Sequence, residues 1–315
     1  MHRKVVMIGI AGDSAAGKTT LSQGIVNALG ADQVTSICCD HYHKYNRKTR
    51  KELGISALAP EGNYIDIMEQ HFRALREGQS ILMPIYNHST GDFDAPIYVK
   101  PTKYMIIEGL LPFHTQRMRL NFDVKVYLDP PEELRRAWKI KRDTTKRGYT
   151  LEQVVESLDK RQDLSPRYIQ PQKRLADMIV RFYPPEGNLA ETGGHLNARL
   201  VLKPTIPHPD LTDVLEHGSN GYKPALRLNL GRYEGVPADF LEIEGDIDAE
   251  KANDLLKLIQ GHMPPDNRLS ADRLGRYQTG LEENRSYPLA LAQYLIAYHM
   301  VTSGHVIQQM RGEMM

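Results

Sequence analysis

The sequence is poor in cysteine. Of its 315 residues only Cys38 and Cys39 are cysteines, and they are adjacent. Neighbouring cysteines rarely pair with each other, so we expect no structural disulfide and a reducing compartment. The chain also lacks an excess of charge of one sign, since its formal net charge is +1. This balance argues against bulk binding of nucleic acid.

Long apolar runs are absent as well. No stretch approaches the roughly 20 apolar residues that a helix needs to span a bilayer. Because the N-terminus leads directly into a strand-like run, we expect no signal peptide. Hydrophobic residues make up 41% and charged residues 25% of the chain, as in a globular protein with a real core. We therefore expect a cytoplasmic protein that binds neither membrane nor nucleic acid.

A phosphate-binding loop lies near the N-terminus. An apolar run at 5–10 is followed by the segment GDSAAGKT at 12–19, a full match to the pattern GxxxxGK[ST]. In such a loop the backbone N–H groups face phosphate oxygens, Lys18 reaches the outer phosphates and Thr19 binds Mg²⁺. A predicted helix ends at Gly30, and this strand–loop–helix context favours a nucleotide site over a chance match. The residues expected to contact the nucleotide are Gly12, Asp13, Ser14, Ala15, Ala16, Gly17, Lys18, Thr19 and Thr20.

Two acidic residues follow predicted buried strands. Asp40 comes after the strand at 34–39, and Glu108 ends the strand at 104–107. Ligands of open α/β sheets bind at the carboxyl ends of the strands. Asp40 is therefore a candidate general base for a hydroxyl group, with a solvated turn as the alternative. Glu108 is a candidate Mg²⁺ ligand, with a structural carboxylate as the alternative.

Cationic side chains occur in two further segments. A predicted polar loop at 44–51 carries Arg47, Arg50 and Lys51 beside Asp40 and could hold an anionic substrate. The helix and loop at 131–147 are dense in Arg and Lys. That segment is interpreted as a solvated helix face, a nucleic-acid surface or a lid over transferring phosphates, and we favour the lid because phosphoryl transfer requires charge neutralisation.

The remaining elements complete an α/β pattern. We expect the P-loop NTPase type of mostly parallel sheet with helices on both faces, plus a mixed α/β C-terminal extension. The expected domains are a P-loop domain at 1–205, with its lid around 131–150, and an extension at 206–315 packed on the same sheet. The other predicted elements are helices at 66–78, 150–159, 249–259 and 289–300, strands at 124–128, 176–182, 225–230 and 240–243, a loop or hairpin at 84–94, and irregular connections at 184–220.

Several motifs carry a resemblance to a known family. They include ICCDHYH at 37–43, PIYNH at 84–88, IIEGLLP at 106–112 and WKIKRD at 138–143. Over roughly residues 5–185 the chain resembles the phosphoribulokinase/uridine kinase family of P-loop kinases. PIYNH, WKIKRD and the long C-terminal portion favour its sugar-phosphate kinases. The resemblance implies Mg²⁺-dependent transfer of phosphate from ATP to the C1 hydroxyl of ribulose 5-phosphate, giving ribulose 1,5-bisphosphate and ADP, by a homodimer or larger homo-oligomer.

The resemblance also implies roles for individual residues. Asp40 is expected to be the catalytic base, assisted by Lys18, Arg142 and Asp143, and Mg²⁺ is expected on Thr19 and Glu108. The residues expected to bind the sugar phosphate are His43, Arg47, Arg50, Lys51, Tyr86, His88, Lys139 and Arg147.

The sequence departs from the family at two positions. His41 stands where a second acid is usual. Ala16 stands where photosynthetic relatives carry a loop cysteine that pairs under oxidation with the position of Cys38. We therefore predict that this chain lacks the thiol switch.

Two other functions stay open at this point. One is a kinase of the same family that acts on uridine or another small hydroxyl compound. A nucleoside acceptor would not need the several cations that surround Asp40. The other is a nucleotide-dependent switch without phosphoryl transfer, which would have no use for Asp40 beside a cationic pocket.

Overall fold

The computed structural model describes residues 5–159, 163–220, 224–263, 271, 273–279 and 282–312. Its strands are β1 (Val6–Gly12), β2 (Val34–Cys38), β3 (Ile81–Asn87), β4 (Asp92–Val99), β5 (Tyr104–Gly109), β6 (Val124–Leu128), β7 (Met178–Tyr183), β8 (Asn197–Leu202), β9 (Leu226–Tyr233), β10 (Val236–Ile243), β11 (Arg276–Thr279) and β12 (Glu282–Arg285). Its helices are α1 (Lys18–Leu29), α2 (Arg47–Leu53), α3 (Ile65–Arg76), α4 (Gln116–Arg119), α5 (Glu132–Lys146), α6 (Leu151–Asp159), α7 (Thr212–Ser219), α8 (Ala249–Gly261) and α9 (Tyr287–Gly312).

One eight-stranded sheet organises the chain, in the order β2-β5-β1-β6-β7-β8-β10-β9. The first five strands in this order are parallel, and the other three join them in antiparallel pairings. The pairs β3–β4 and β11–β12 form separate two-stranded sheets. The carboxyl ends of β1, β2 and β5 therefore lie side by side at one edge of the parallel part.

Burial of both sheet faces explains the apolar strands. Every residue of β1 and β5 is buried, as expected for central parallel strands that have helices above and below them. One face packs against α1, α7, α8 and α9, and the other packs against α3 and α4. The predicted α/β fold with helices on both faces is thus confirmed.

Local signals account for several helix and hairpin boundaries. The predicted helix at 150–159 is α6, and Thr150 and Gln153 exchange backbone-to-side-chain hydrogen bonds of 3.0 and 3.3 Å in a capping box. The stretch at 84–94, left open as a loop or hairpin, is the β3–β4 hairpin, with a register shift between Met83 and Ile85. No helix in the described ranges is both long enough and apolar enough to cross a membrane.

Two parts of the predicted layout are wrong. The polar loop at 44–51 contains α2, which is capped by the Asn46 side chain at 2.9 Å from the Thr49 amide. None of the α2 residues is buried, so the segment carries no apolar period that would reveal a helix. The irregular region at 184–220 contains β8 and α7. β8 is only six residues long, and its pairing with β7 and β10 is a tertiary contact.

Candidate active site

The phosphate-binding loop connects β1 to α1. Gly17, just before α1, has a φ of +95°, and Ala15 has a φ of +66°, so the loop curls through backbone conformations that small residues tolerate best. The Lys18 ammonium donates to the carbonyls of Gly12 and Asp13 at 2.9 Å each. The lysine thus lies across the loop, where it can contact phosphate oxygens.

Glu108 and Thr19 meet next to this loop. The Thr19 hydroxyl donates to Glu108 Oε1 at 2.9 Å, and Glu108 is only 6% exposed at the end of β5. Burial and the charge of Asp40 raise the pKa of Glu108, although Lys18 and the Thr19 hydrogen bond oppose this shift. A cation would stabilise the ionised form of such a carboxylate.

These two oxygens fit the donor set of Mg²⁺. Mg²⁺ prefers hard oxygen ligands and in kinases takes most of them from phosphates and water, with one or two protein groups. The described residues contain no cluster of three or more His, Cys, Asp or Glu side chains that could enclose a metal. Thr19 and Glu108 are two such protein groups, so their oxygens suit a cation that is shared with a nucleotide.

Asp40 lies on a short 3₁₀ turn directly after β2. Its Oδ2 is 3.3 Å from His88 Nε2 of the loop after β3. Burial raises the pKa of Asp40, but the hydrogen bond from His88 and the charges of His43, His88 and Lys18 outweigh burial. The net result is a pKa well below the usual range, so the carboxylate is ionised at neutral pH and can accept a proton.

Two histidines flank this carboxylate. His43 is buried, and its Nδ1 is 2.8 Å from Asn63 Oδ1. Asn63 Nδ2 donates to two backbone carbonyls, so the Asn63 oxygen accepts from His43 and leaves His43 Nε2 without that proton. Burial lowers the pKa of His43 to about 4, although the charge of Asp40 opposes this shift. His41 Nδ1 accepts a hydrogen bond from the Tyr86 backbone N–H at 3.2 Å.

Arginines from α2 border the same region. Arg47 donates through Nη2 to the His88 carbonyl, and Arg50 Nη2 donates to the Tyr86 hydroxyl at 2.7 Å. Arg50 Nη1 is buried and has no hydrogen-bond partner among the described residues. An unpaired buried guanidinium nitrogen is costly, and an anionic group beside it would satisfy this donor. Lys51, one turn beyond Arg47, is exposed.

Helix α5 and the residue after it bring a second set of cations to the loop. Asp143 is buried, with Lys139 Nζ at 2.6 Å, Arg142 Nε at 2.8 Å and Arg147 Nη1 at 3.6 Å. Arg142 also reaches the Ser14 hydroxyl at 3.4 Å. Burial raises the pKa of Asp143, but the hydrogen bonds from Arg142 and Lys139 outweigh burial, so the net pKa lies below the usual value. Asp143 therefore orients three cations close to the phosphate-binding loop.

Three contacts of this site are not predictable from the sequence motifs. Arg135 donates to the Ser14 carbonyl at 2.9 Å, Ser165 donates to Asp13 Oδ2, and Asn63 orients His43. Ser165 and Asn63 belong to no recognisable motif. Arg135 lies in the charged segment at 131–147. It is seven residues before Arg142 and so on the same helix face, and only this spacing could have indicated that it contacts the loop.

Comparisons with known proteins agree with this geometry. A phosphoribulokinase from a Synechocystis strain is 38% identical over 74% of this chain and 70% of its own length. The chloroplastic phosphoribulokinase of Chlamydomonas reinhardtii is 32% identical over 90% of this chain and 82% of its own length. The solved phosphoribulokinase from Rhodobacter spheroides shares the fold, with a TM-score of 0.57 at 20% identity over 82% of this chain and 95% of that one.

The family assignment rests on the part of the chain that builds the site. The model of the phosphoribulokinase/uridine kinase family matches residues 7–187, more than half of the chain. This range contains the phosphate-binding loop, Asp40, Glu108 and helix α5. The chain belongs to the phosphoribulokinase/uridine kinase family.

Proposed function

We propose that this chain is the ATP-dependent kinase that phosphorylates ribulose 5-phosphate at its C1 hydroxyl, giving ribulose 1,5-bisphosphate and ADP. One observation carries the proposal: the Asp40 carboxylate is 3.3 Å from His88, whose carbonyl accepts from Arg47, and it also interacts with the charge of Lys18 in the phosphate-binding loop. A phosphorylated acceptor needs cations such as Arg47 and Arg50, and an uncharged nucleoside does not. The family relatives named phosphoribulokinase support the same reaction.

The chemistry follows from the charges of the site. Asp40 would take the proton of the C1 hydroxyl while that oxygen attacks the γ-phosphorus of ATP and ADP leaves with the bond electrons. Lys18 and Arg142 would offset the negative charge on the phosphoryl oxygens. Mg²⁺ on Thr19 and Glu108 would supply further neutralisation of the phosphates when bound.

The cations on the acceptor side would bind the 5-phosphate that ribulose 5-phosphate already carries, at the opposite end of the sugar from the reacting C1 hydroxyl. We assign this role to Arg47, Arg50, Lys51 and Arg147, with His43, Tyr86 and His88 lining the pocket. Burial and the charge of Arg142 lower the pKa of Arg147, and the charge of Asp40 raises it. Arg147 of the proposed lid and the proposed base Asp40 therefore interact electrostatically. Exclusion of water by the lid would limit hydrolysis of ATP.

An ADP-release assay tests the function directly. The purified chain would be supplied with Mg-ATP and with ribulose 5-phosphate, uridine or no acceptor, and the product would be identified by mass spectrometry. We expect saturable turnover and a bisphosphate product only with ribulose 5-phosphate. Turnover with uridine would identify a nucleoside kinase, and slow hydrolysis insensitive to any acceptor would identify a nucleotide-dependent switch.

We also propose that the enzyme is cytoplasmic and forms a homodimer or larger homo-oligomer. The free thiols of Cys38 and Cys39 suit a reducing compartment. Strand β9 ends the described sheet with an unpaired edge, where Leu230 is 81% exposed, and such edges are commonly covered. Light scattering after size exclusion would test the assembly, and a monomeric mass would contradict it.

A further inference from the structure

The C-terminal helix α9 lies directly on the phosphate-binding helix. It packs against α1 and also contacts β1, β6 and β8. At this contact Gln293 of α9 is fully buried, with an exposed fraction of 0%. A buried amide costs free energy unless its donors and acceptors are paired, so the partners of Gln293 show what its presence stabilises.

The Gln293 amide joins two segments that are far apart in the sequence. Its Nε2 donates to the Thr20 carbonyl at 3.0 Å, across 273 residues of sequence. Its Oε1 accepts the Gly275 amide at 2.8 Å. One side chain therefore connects the first turn of α1, helix α9 and the segment that leads into β11.

Helix α1 is shaped to receive this amide. Gly24 lies one turn after Thr20, and a Cβ atom there would be 1.9 Å from the Gln293 Cδ. Glycine inside a helix is destabilising relative to alanine. The close approach of the amide accounts for glycine at this position, since any other residue would displace Gln293 from the Thr20 carbonyl.

The carbonyl that Gln293 holds belongs to the turn that would contact the phosphates of a bound nucleotide. Lys18, Thr19 and Thr20 are the first three residues of α1, and the Thr19 hydroxyl is bonded to Glu108. A small tilt of α1 would move the Lys18 ammonium and the Thr19 hydroxyl together. We propose that Gln293 is a positioning residue that fixes the first turn of α1 for nucleotide binding, an inference that rests on the proposed use of ATP.

The segment around β11, which contains Gly275, also contacts helices α1 and α5 on the nucleotide side. Asn27 of α1 donates to the Arg273 carbonyl at 3.4 Å, and Lys146 at the end of α5 contacts the Gln278 side chain. The bond from Gly275 to Gln293 anchors this segment between α1 and α5. Gln293 thus gives the C-terminal third of the chain a role in nucleotide binding.

Two substitutions separate hydrogen bonding from packing. Gln293→Met keeps a side chain of similar length but removes both hydrogen bonds. Gln293→Glu keeps an acceptor for the Gly275 amide and turns a carboxylate oxygen, instead of a donor, toward the Thr20 carbonyl. Leu295→Ala is the matched control, because Leu295 is equally buried in α9 and lies about 200° around the helix from Gln293.

The readout is nucleotide binding in the full chain. Trp138, the only tryptophan in the sequence, lies near Gly17 of the loop, so its fluorescence would report titration with Mg-ADP. We expect the Kd for Mg-ADP to rise about tenfold in both Gln293 variants, as the loss of one or two hydrogen bonds allows. The KM for ATP should rise in parallel, and the KM for ribulose 5-phosphate should stay within about twofold.

The outcomes distinguish positioning from plain stability. Gln293 variants that melt at a lower temperature but bind Mg-ADP as tightly as the wild-type chain would overturn the proposal. An equal rise in Kd for Leu295→Ala would overturn it too, since that would be a general effect of destabilising α9. Binding of Mg-ADP needs no sugar acceptor, so failure to phosphorylate ribulose 5-phosphate would leave this test intact.

Discussion

The proposed nucleotide side and the proposed acceptor side of this site are built in different ways. The nucleotide side is a contiguous segment at 12–20 whose backbone conformation creates the binding surface, with Lys18 crossing it. The acceptor side is assembled from side chains of separate segments at 40–43, 47–51 and 86–88. Backbone sites tolerate variation in side chains, whereas side-chain sites depend on each residue. Substitutions on the acceptor side should therefore change chemistry or acceptor affinity while leaving nucleotide binding intact.

The largest effect is expected from Asp40→Asn. The amide cannot take a proton from the hydroxyl, and general bases contribute roughly 10²–10⁴-fold to the rate, so we expect kcat to fall by about 10³-fold. The Kd for Mg-ADP should stay within about twofold, because Asp40 lies outside the phosphate-binding loop. Steady-state kinetics and Trp138 fluorescence would measure the two quantities.

Glu52→Gln, an exposed substitution on α2, provides the control for Asp40→Asn. It removes one negative charge close to the site without touching the loop after β2. Near-normal turnover of Asp40→Asn would show that the base is another group. A large loss of Mg-ADP affinity in the same variant would show that the two sides of the site are not separable.

Arg47→Ala is expected to weaken the binding of ribulose 5-phosphate instead of slowing the chemical step. A hydrogen bond to a charged group contributes roughly 1.5–3 kcal/mol, so we expect the KM for ribulose 5-phosphate to rise roughly tenfold to a hundredfold. The KM for ATP should change by less than about twofold. Lys48→Ala is the matched control, since Lys48 is an exposed cation on the same helix; equal effects of both variants would indicate long-range steering instead of a contact.

The same contrast explains what the sequence could predict. The loop at 12–19 is a local sequence pattern. Because ligands of parallel sheets bind at the carboxyl ends of the strands, the position of Glu108 at the end of its strand was enough to predict that it lies near Thr19. Helix α2 was missed because it buries no residue, so only the Asn46 cap and the turn at Gly54 mark it. The contact between Ser165 and Asp13 joins residues 152 positions apart. No local pattern encodes such a pair, because tertiary packing alone brings the two segments together.

A third substitution, His88→Ala, is expected to change the pH dependence of catalysis. The hydrogen bond and charge of His88 help to hold the pKa of Asp40 below its usual range. Without them that pKa rises, and because only the ionised carboxylate can act as a base, activity is lost at a higher pH as the solution is acidified. We therefore expect the acid limb of kcat/KM to move to higher pH in the variant.

This pH profile is best measured as a difference between the variant and the wild-type chain. Ionisation of the sugar phosphate affects both profiles equally and so cancels. The Kd for Mg-ADP should show no such shift, because the hydrogen bonds of the loop involve Lys18 and backbone carbonyls. Superimposable acid limbs would mean that His88 does not tune the base.

The smallest effect, none at all, is expected from mild oxidation. Adjacent residues lie about 3.8 Å apart at Cα, closer than the 4.4–6.8 Å that disulfides usually span, and Ala16 leaves Cys38 without a thiol in the loop. Burial and the charges of Asp40 and Glu108 raise the pKa values of both thiols, so little reactive thiolate forms. Activity should be equal before and after oxidant, and alkylation of the unfolded chain should count two free thiols each time. A large loss of activity that a dithiol restores would contradict this prediction, because it would require a thiol switch built from Cys38 and Cys39 alone.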